Sequence, residues 1–304
     1  MNLSISTIIL TYNEEQHIER CIKNAQQFSE SIYLIDSFSS DRTIEIAESL
    51  GAKVYQNKWE NNHSKQFNWG LKNLPITTDW IFRLDADEYL TDDLILEINN
   101  KVPHLKSNIS GVVFERKMFF LNTLMTKGML QMNMLRLFKF QHGFCEERWM
   151  DEHIILTKGE SILFNGYFVD HNLNTLGWWI QKHNNYSIRE AVDLLDLELN
   201  LLKPVTEQAE QYALSADAQS KRNKKKKYAN MPLFWRSLFY FVYRYFFKFG
   251  FTQGKEGFLW HFLQGWWYRT LVDAKIYEIK KECDSDKNKI KHYIQDKYNL
   301  NLNQ

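Results

Sequence analysis

Cysteine is scarce in this chain: three in 304 residues, Cys21, Cys145 and Cys283. Their spacing fits no metal or redox motif, and an odd, low count argues against a disulfide framework and for a reducing compartment. Net charge is scarce as well. The formal balance is +1, which leaves no global nucleic-acid signature. No G-x-G-x-x-G follows the first apolar run, which argues against a dinucleotide site. No G-x-x-x-x-G-K-[ST] occurs, which argues against a P-loop. There is no internal repeat. The sequence enters its first strand with no signal-peptide pattern, and the expectation is a cytosolic protein. The most aromatic stretch, Phe234 to Phe251, is interrupted by Arg236, Arg244 and Lys248 and is too broken to span a bilayer comfortably.

What is present is an alternation. Ser4 to Thr11 is β-branched and apolar, and Tyr12-Asn13-Glu14-Glu15 breaks it. Ile18 to Phe28 carries helical spacing. Ser31 to Ile35 is a second strand, ending in Asp36-Ser37-Phe38-Ser39-Ser40-Asp41. Asp41 suits the N-cap of a helix over Arg42 to Leu50, with Gly51 at C′. Ala52 to Tyr55 reads as a third strand, Ser64 to Leu74 as a helix and Trp80 to Leu84 as a fourth strand. Strands alternating with helices of about 10 residues imply βαβ units and a mostly parallel sheet. The polar ends of three strands then share one edge, where open α/β sheets bind ligands.

Asp85-Ala86-Asp87-Glu88 ends the fourth strand. In extended backbone, side chains two apart share a side, so Asp85 and Asp87 aim at one point beyond the strand. Paired carboxylates there suit a hard divalent cation that also holds a phosphate. Solvated acids in a turn are the plain alternative. Asp41 has an alternative as a helix cap alone, and Glu14 and Glu15 as acids favoured in a first helical turn.

Thr-Tyr-Asn-Glu-Glu (11–15), Asp-Ser-x-Ser-x-Asp-x-Thr (36–43) and Asp-Ala-Asp-Glu (85–88), in this order, resemble family 2 glycosyltransferases. Arg136-Leu137-Phe138-Lys139, Met150-Asp151-Glu152-His153 and His171 extend the likeness. It is nearest to lipopolysaccharide-core β-glucosyltransferases and related capsule or O-antigen transferases. It is strong to about residue 190 and looser beyond. It implies a GT-A fold, Rossmann-like, and inverting transfer from a nucleotide-diphospho-sugar, UDP-linked by expectation, with Mg²⁺ or Mn²⁺. Thr11, Asn13 and Glu14 would line the nucleotide pocket, with Tyr12 near the base. Asp36 would accept from the uracil or ribose, and Lys65 would reach the base or diphosphate. Asp85 would bind the ribose and Asp87 the metal, with His171 a further candidate ligand. Glu152 would be the general base. Asp151 stands where the subgroup often has His, so two adjacent carboxylates compete for that role. Residues 121–133, with Gly128, are a candidate lid or an ordinary surface loop. His153 and His183 read as structural.

The last third differs. The expected boundary lies at 203/204, with the catalytic domain over 1–203 and an α-helical, membrane-associating region over 204–304. A helix begins near Leu176 and ends before Pro204, and residues 205–220 are polar. The basic run Lys221 to Lys227 precedes Phe234 to Phe251, and Phe258 to Glu282 forms a second aromatic-rich helix. At about 100° per residue, Arg236, Arg244 and Lys248 fall within about 120° of one another, with aromatics over the rest. That pattern suits a helix at the interface of an anionic membrane. The alternative is a helical hairpin packed on the protein, with solvated lysines. Lysines beside aromatics also suit nucleic acid, but these aromatics are too continuous for a stacking groove, and no nucleic-acid partner is expected. The combined expectation is a peripheral transferase on the cytoplasmic face of a bacterial inner membrane, acting on a lipid-linked or lipopolysaccharide-type acceptor. A sugar nucleotidyltransferase and a catalytically silent membrane scaffold are the competing readings.

Overall fold

The computed structural model describes residues 4–202 and 216–302. Two compact units divide them. One comprises residues 4–124, 131–173 and 216–218, the other 125–130, 174–202 and 219–302. The stretch 203–215, which holds the expected boundary and most of the polar 205–220 segment, lies outside the described residues.

The first unit is mixed α/β. Its elements run β1 (Ile5–Thr11), α1 (Ile18–Ala25), β2 (Ser31–Asp36), α2 (Thr43–Ser49), β3 (Lys53–Gln56), α3 (His63–Asn73), β4 (Trp80–Asp85), β5 (Glu88–Leu90) and α4 (Asp92–Lys101). Then come β6 (Ile109–Phe120), β7 (Thr123–Met125), β8 (Asn133–Lys139), β9 (Gly143–Cys145), β10 (Ile154–Leu156) and β11 (Glu160–Asp170). The main sheet has the order β3-β2-β1-β4-β8-β6-β11-β5, with β7 added beside β6. β3, β2, β1 and β4 are parallel. β8 enters antiparallel to both β4 and β6, and β5 antiparallel to β11. This is the GT-A-like, Rossmann-type arrangement that the motifs lead one to expect, with parallel pairing in the β3-β2-β1-β4 block and again between β6 and β11.

Strand alternation explains the layers. Ile5 and Ile9, Ile32 and Leu34, and Phe82 and Leu84 face one side, where Ile18, Ile22, Leu94 and Ile98 cover them. Ile8, Tyr33, Ile35 and Ile81 face the other, with Phe67, Phe138 and Ile154. Strands buried on both faces read as continuous apolar runs, as parallel strands do. Gly51 ends α2 at φ +80°, the left-handed C′ position that glycine takes without a Cβ penalty.

The second unit is helical: α5 (Leu176–Leu199), α6 (Ala216–Ala229), α7 (Trp235–Val242), α8 (Gly254–Trp260), α9 (Tyr268–Glu282) and α10 (Lys287–Tyr298). Two π-helical stretches, Tyr243–Phe247 and His261–Trp267, extend α7 and join α8 to α9. No helix among the described residues is long and apolar enough to cross a membrane.

The helical-wheel expectation for Phe234 to Phe251 is corrected here. Arg236 and Arg244 do not face water; they are buried. Arg236 donates to Asp273 Oδ1 from Nε at 2.8 Å and from Nη2 at 2.5 Å. Arg244 Nε donates to the Gly128 carbonyl at 2.8 Å and Nη1 to Gln264 Oε1 at 2.5 Å. Buried cations persist only when paired or fully hydrogen-bonded, and these partners lie far away in sequence, beyond the reach of a wheel.

Residues 125–130 of the candidate lid are not loose. Gln253 Oε1 accepts from Thr126 N at 3.0 Å and Lys127 N at 2.8 Å. Gly128 N donates to the Lys248 carbonyl at 2.9 Å. The segment is pinned to its own helical unit at both faces of its peptide chain.

Candidate active site

The site begins with register. Thr11 pairs with Asp36 across β1 and β2, and Leu10 with Asp85 across β1 and β4. Three polar strand ends therefore share one sheet edge. Thr11 Oγ1 donates to Asp36 Oδ1 at 3.1 Å. Ser39 donates to the same carboxylate through Oγ at 2.5 Å and N at 2.8 Å. Asp36 is fully buried, and these bonds make it the organiser of its own turn.

The two loops after β1 and β2 interlock. Asn13, in the left-handed region at φ +56°, accepts from Ser40 N at 2.8 Å, and its own N donates to Ser39 Oγ at 2.8 Å. Glu14 N donates to Thr43 Oγ1 at 2.7 Å, and Glu15 N to Asp41 Oδ2 at 3.1 Å. Asp41 Oδ1 also accepts from Thr43 N at 3.0 Å, so it holds the first residue of α2 and ties the loops together at once, although the N-cap falls on Arg42 and not on the expected Asp41. Glu14 Oε2 lies 2.7 Å from His17 Nδ1. Leu173 N donates to His17 Nε2 at 2.8 Å, which fixes the ring proton on Nδ1. Tyr12 stands exposed beside this knot.

Two buried arginines run beneath the acidic edge. Arg136 Nη2 donates to Asp85 Oδ2 at 3.2 Å and to Glu88 Oε1 at 2.6 Å. Asp85 N closes the turn onto Glu88 Oε2 at 3.0 Å. Arg83 Nε lies 3.9 Å from Asp85 Oδ1, and its Nη2 lies 3.8 Å from Glu152 Oε1. Burial works to raise the Asp85 carboxyl, but Arg136 and then Arg83 outweigh it and hold the group well below the usual carboxylate range.

Glu152 sits on a loop that the protein holds at several points. Asn62 Nδ2 donates to the Arg148 carbonyl at 3.1 Å. Asn68 clamps Cys145 in both directions, at 2.7 and 2.9 Å. Glu146 N donates to the His153 carbonyl at 2.9 Å, closing residues 146–153 into one turn above the β9–β10 hairpin. Asp151 takes φ +56° and is exposed.

Asp87 and His171 meet through the backbone, where His171 N donates to the Asp87 carbonyl at 2.9 Å. Arg20 Nη2 donates to both the His171 and Asp87 carbonyls, at 2.6 and 3.2 Å. Its Nη1 reaches His171 Nδ1 at 3.2 Å. Arginine always donates, so the His171 proton sits on Nε2, facing Asn122 Oδ1 at 3.2 Å. Burial, then Arg20 and His17, lower the pKa of this ring. Asn172 Nδ2 donates to Asp87 Oδ2 at 3.0 Å. No set of three His, Cys, Asp or Glu gathers for a metal among the described residues. Asp87 is the carboxylate here that could hold a hard cation whose remaining positions ligand phosphates and water would fill.

The fold thus brings together Thr11, Asn13, Glu14, Asp36, Asp85 and, through Arg83, Glu152. The Lys65 ammonium lies 3.4 Å from Glu60 Oε2. Sequence reasoning met Arg136 and Glu88 only as motif residues without a role, and it missed Arg83, Arg20 and His17. One signal was available: Arg83 stands two before Asp85 on a strand, on the same side.

Comparison with known proteins follows the same residues. Residues 6–153 match the family described as glycosyl transferase family 2. The chain is 38% identical over 94 residues to an uncharacterized glycosyltransferase of Rickettsia bellii, covering 31% of each chain. It is 36% identical over 100 residues to the 4,4'-diaponeurosporenoate glycosyltransferase of Staphylococcus haemolyticus, covering 31% of this chain and 27% of that one. The similarity thus spans less than a third of the length of these curated relatives. Among solved structures it is similar to glucosyl-3-phosphoglycerate synthase from Mycobacterium tuberculosis, at 20% identity and TM-score 0.31, covering 38% of this chain and 43% of that one.

Proposed function

We propose, from the match of residues 6–153 to glycosyl transferase family 2, an inverting transferase. It moves one sugar from a nucleotide-diphospho-sugar, a UDP-sugar by first choice, to a lipid-linked or lipopolysaccharide-type acceptor at a membrane surface. One observation carries the reading. Arg83 lies within 4 Å of both Asp85, at the nucleotide edge, and Glu152. A carboxylate so placed, on a loop held at several points, suits a general base facing an acceptor.

In this reading Thr11, Asn13, Glu14 and the interlocked loops form the nucleotide wall, with Tyr12 exposed to cover the base. Asp85, kept ionised by its arginines, accepts from the ribose hydroxyls. Glu152 takes the proton from the acceptor hydroxyl. The acceptor oxygen forms a bond to the anomeric carbon from the face opposite the diphosphate. The bond from that carbon to the diphosphate oxygen breaks, and its electron pair leaves with the nucleoside diphosphate. Asp87 is the residue that would hold a divalent cation, which when bound neutralises charge on the leaving diphosphate. His171 would join it only by giving up Arg20 or Asn122. Asp151, exposed beside Glu152, would contact the acceptor or hold the loop.

The acceptor is proposed to lie at the cytoplasmic face of a bacterial inner membrane, with the protein peripheral to it. The basic run of α6 and the aromatic segments after it support attachment to an anionic leaflet. The test is turnover of a panel of nucleotide-sugars by the purified chain, with and without Mn²⁺ or Mg²⁺, in the presence of membrane-derived glycolipid acceptors. Release of nucleoside diphosphate coupled to acceptor glycosylation is the expected outcome. Pyrophosphate exchange with nucleoside triphosphate would instead mean a sugar nucleotidyltransferase, and donor binding without turnover on any acceptor a silent scaffold.

A further inference from the structure

The helical unit is built inside out over residues 231–258. Five formal charges occur there. Arg236 and Arg244 are buried, Glu256 is half-buried, and Lys248 and Lys255 are exposed. The aromatic side chains do the opposite. Trp235, Phe239, Tyr243 and Phe246 follow one another at helical spacing and are 44 to 59% exposed. Phe247 and Phe249 are 71% and 60% exposed. A core would have taken these rings, and water does not reward their exposure.

We propose that this aromatic face is the membrane-docking surface of the protein, and that its partner is the headgroup zone of a phospholipid bilayer. Two features select lipid. Rings of Trp, Tyr and Phe on a short helix, lying in the plane of the surface, match the depth at which a bilayer passes from water to hydrocarbon. The fully exposed charges among them are lysines alone, which complement lipid phosphates; Lys248 Nζ lies 5.8 Å from the Tyr243 ring centre and is free to reach outward. A second copy of the same face would set lysines against lysines with no fully exposed acid from this stretch to meet them.

The inference deepens the membrane-borne acceptor of the preceding reading and rests on it only for its purpose. It also changes which residues hold the protein there. In the basic run, Lys225 is already paired with Asp193 at 2.7 Å, while the rings stand uncovered by their own unit. The rings set the affinity, and the exposed lysines Lys224, Lys226 and Lys227 only modulate it.

Flotation of the full chain with vesicles tests this, using phosphatidylcholine alone and phosphatidylcholine mixed with phosphatidylglycerol, at low and high salt. No donor or acceptor is present, so a failure of the transferase reading leaves the result untouched. The full chain floats with both vesicles, and high salt weakens binding only modestly. The triple variant Phe246→Ser, Phe247→Ser, Phe249→Ser loses roughly tenfold or more in partition on either vesicle. Its circular dichroism and melting temperature stay close to those of the parent. The triple variant Lys224→Gln, Lys226→Gln, Lys227→Gln keeps its binding to phosphatidylcholine. A second measurement does not depend on the serine variants folding: brominated lipid quenches tryptophan fluorescence, and Trp235→Phe removes much of that quenching. Absence of flotation, or equal flotation of the serine variant, overturns the proposal. So does a vesicle-free dimer that the serine substitutions dissociate, which would make the face a self-association surface.

Discussion

Arg83 carries no motif of its own, yet it lies within 4 Å of both Asp85 and Glu152, the carboxylates to which we assign donor binding and proton transfer. Its Nη1 donates to Cys145 Sγ at 3.2 Å, and its plane lies over the Phe67 ring. A rigid, always-charged fork suits this place better than a flexible lysine. Asp87→Ala is expected to abolish transfer and to remove the stabilisation that donor gains from Mn²⁺ in a thermal-shift titration. Full, EDTA-sensitive activity of that variant would refute the metal assignment. Asp85→Ala should weaken donor binding whether or not metal is present. Glu152→Gln is expected to lower turnover by about 10²-fold or more, a typical general-base contribution, with donor affinity nearly unchanged. Asp151→Asn should do less. Kinetics of both variants at saturating donor decide the matter, and loss confined to Asp151→Asn would reverse the roles.

At the scale of elements, local signals located β1 to β4 well, because apolar runs and their polar ends are neighbours in sequence, whereas β5 to β11 were not read. Helix α3, the C′ glycine of α2 and the strand over 80–84 were all legible, while the Asn62 cap of α3 was not read. The interlocking of the loops after β1 and β2 was not, since each hydrogen bond spans more than 25 residues. The pinned segment 125–130 offers a sharp test. Gly128 sits at φ +70°, and an added Cβ would meet the His261 ring at 2.4 Å and the Arg244 carbonyl at 2.7 Å. Gly128→Ala should therefore cost about 1–3 kcal/mol, read as a fall in denaturation midpoint. His261 gives the pH dependence. Its Nε2 donates to the Lys127 carbonyl at 3.1 Å, and its Nδ1 is buried without a partner. Burial, then Arg244, press its pKa down to about 4. The unfolded chain takes up this proton near pH 6.5, while the folded one refuses it until about pH 4. Stability from this group is thus full above pH 6.5 and falls as pH drops toward 4. His261→Gln should flatten the melting temperature across that window; an unchanged slope would show that other groups govern it.

The whole molecule places α5 with the helical unit. Ile188, Ala191, Val192, Leu194 and Leu195 are buried there, and Tyr268 OH donates to Glu190 Oε2 at 2.6 Å. Truncation after residue 203 would strip α9 from α5 and bare that apolar stripe. The shortened chain is expected to aggregate or to melt well below the parent, whereas a clean, soluble 1–203 fragment that binds donor would show the first unit to be self-sufficient.

The sequence by itself determined the alternation of β1 to β4 with helices and the three polar strand ends. These depend on periodicity and on residues close together in the chain. Only the tertiary structure decided that Arg83 and Arg136 underlie the acids. It alone turned Arg236 and Arg244 inward and left the rings outside. A cation's cost of burial is decided by its partners, and here Asp273, Gln264 and the Gly128 carbonyl come from distant parts of the chain.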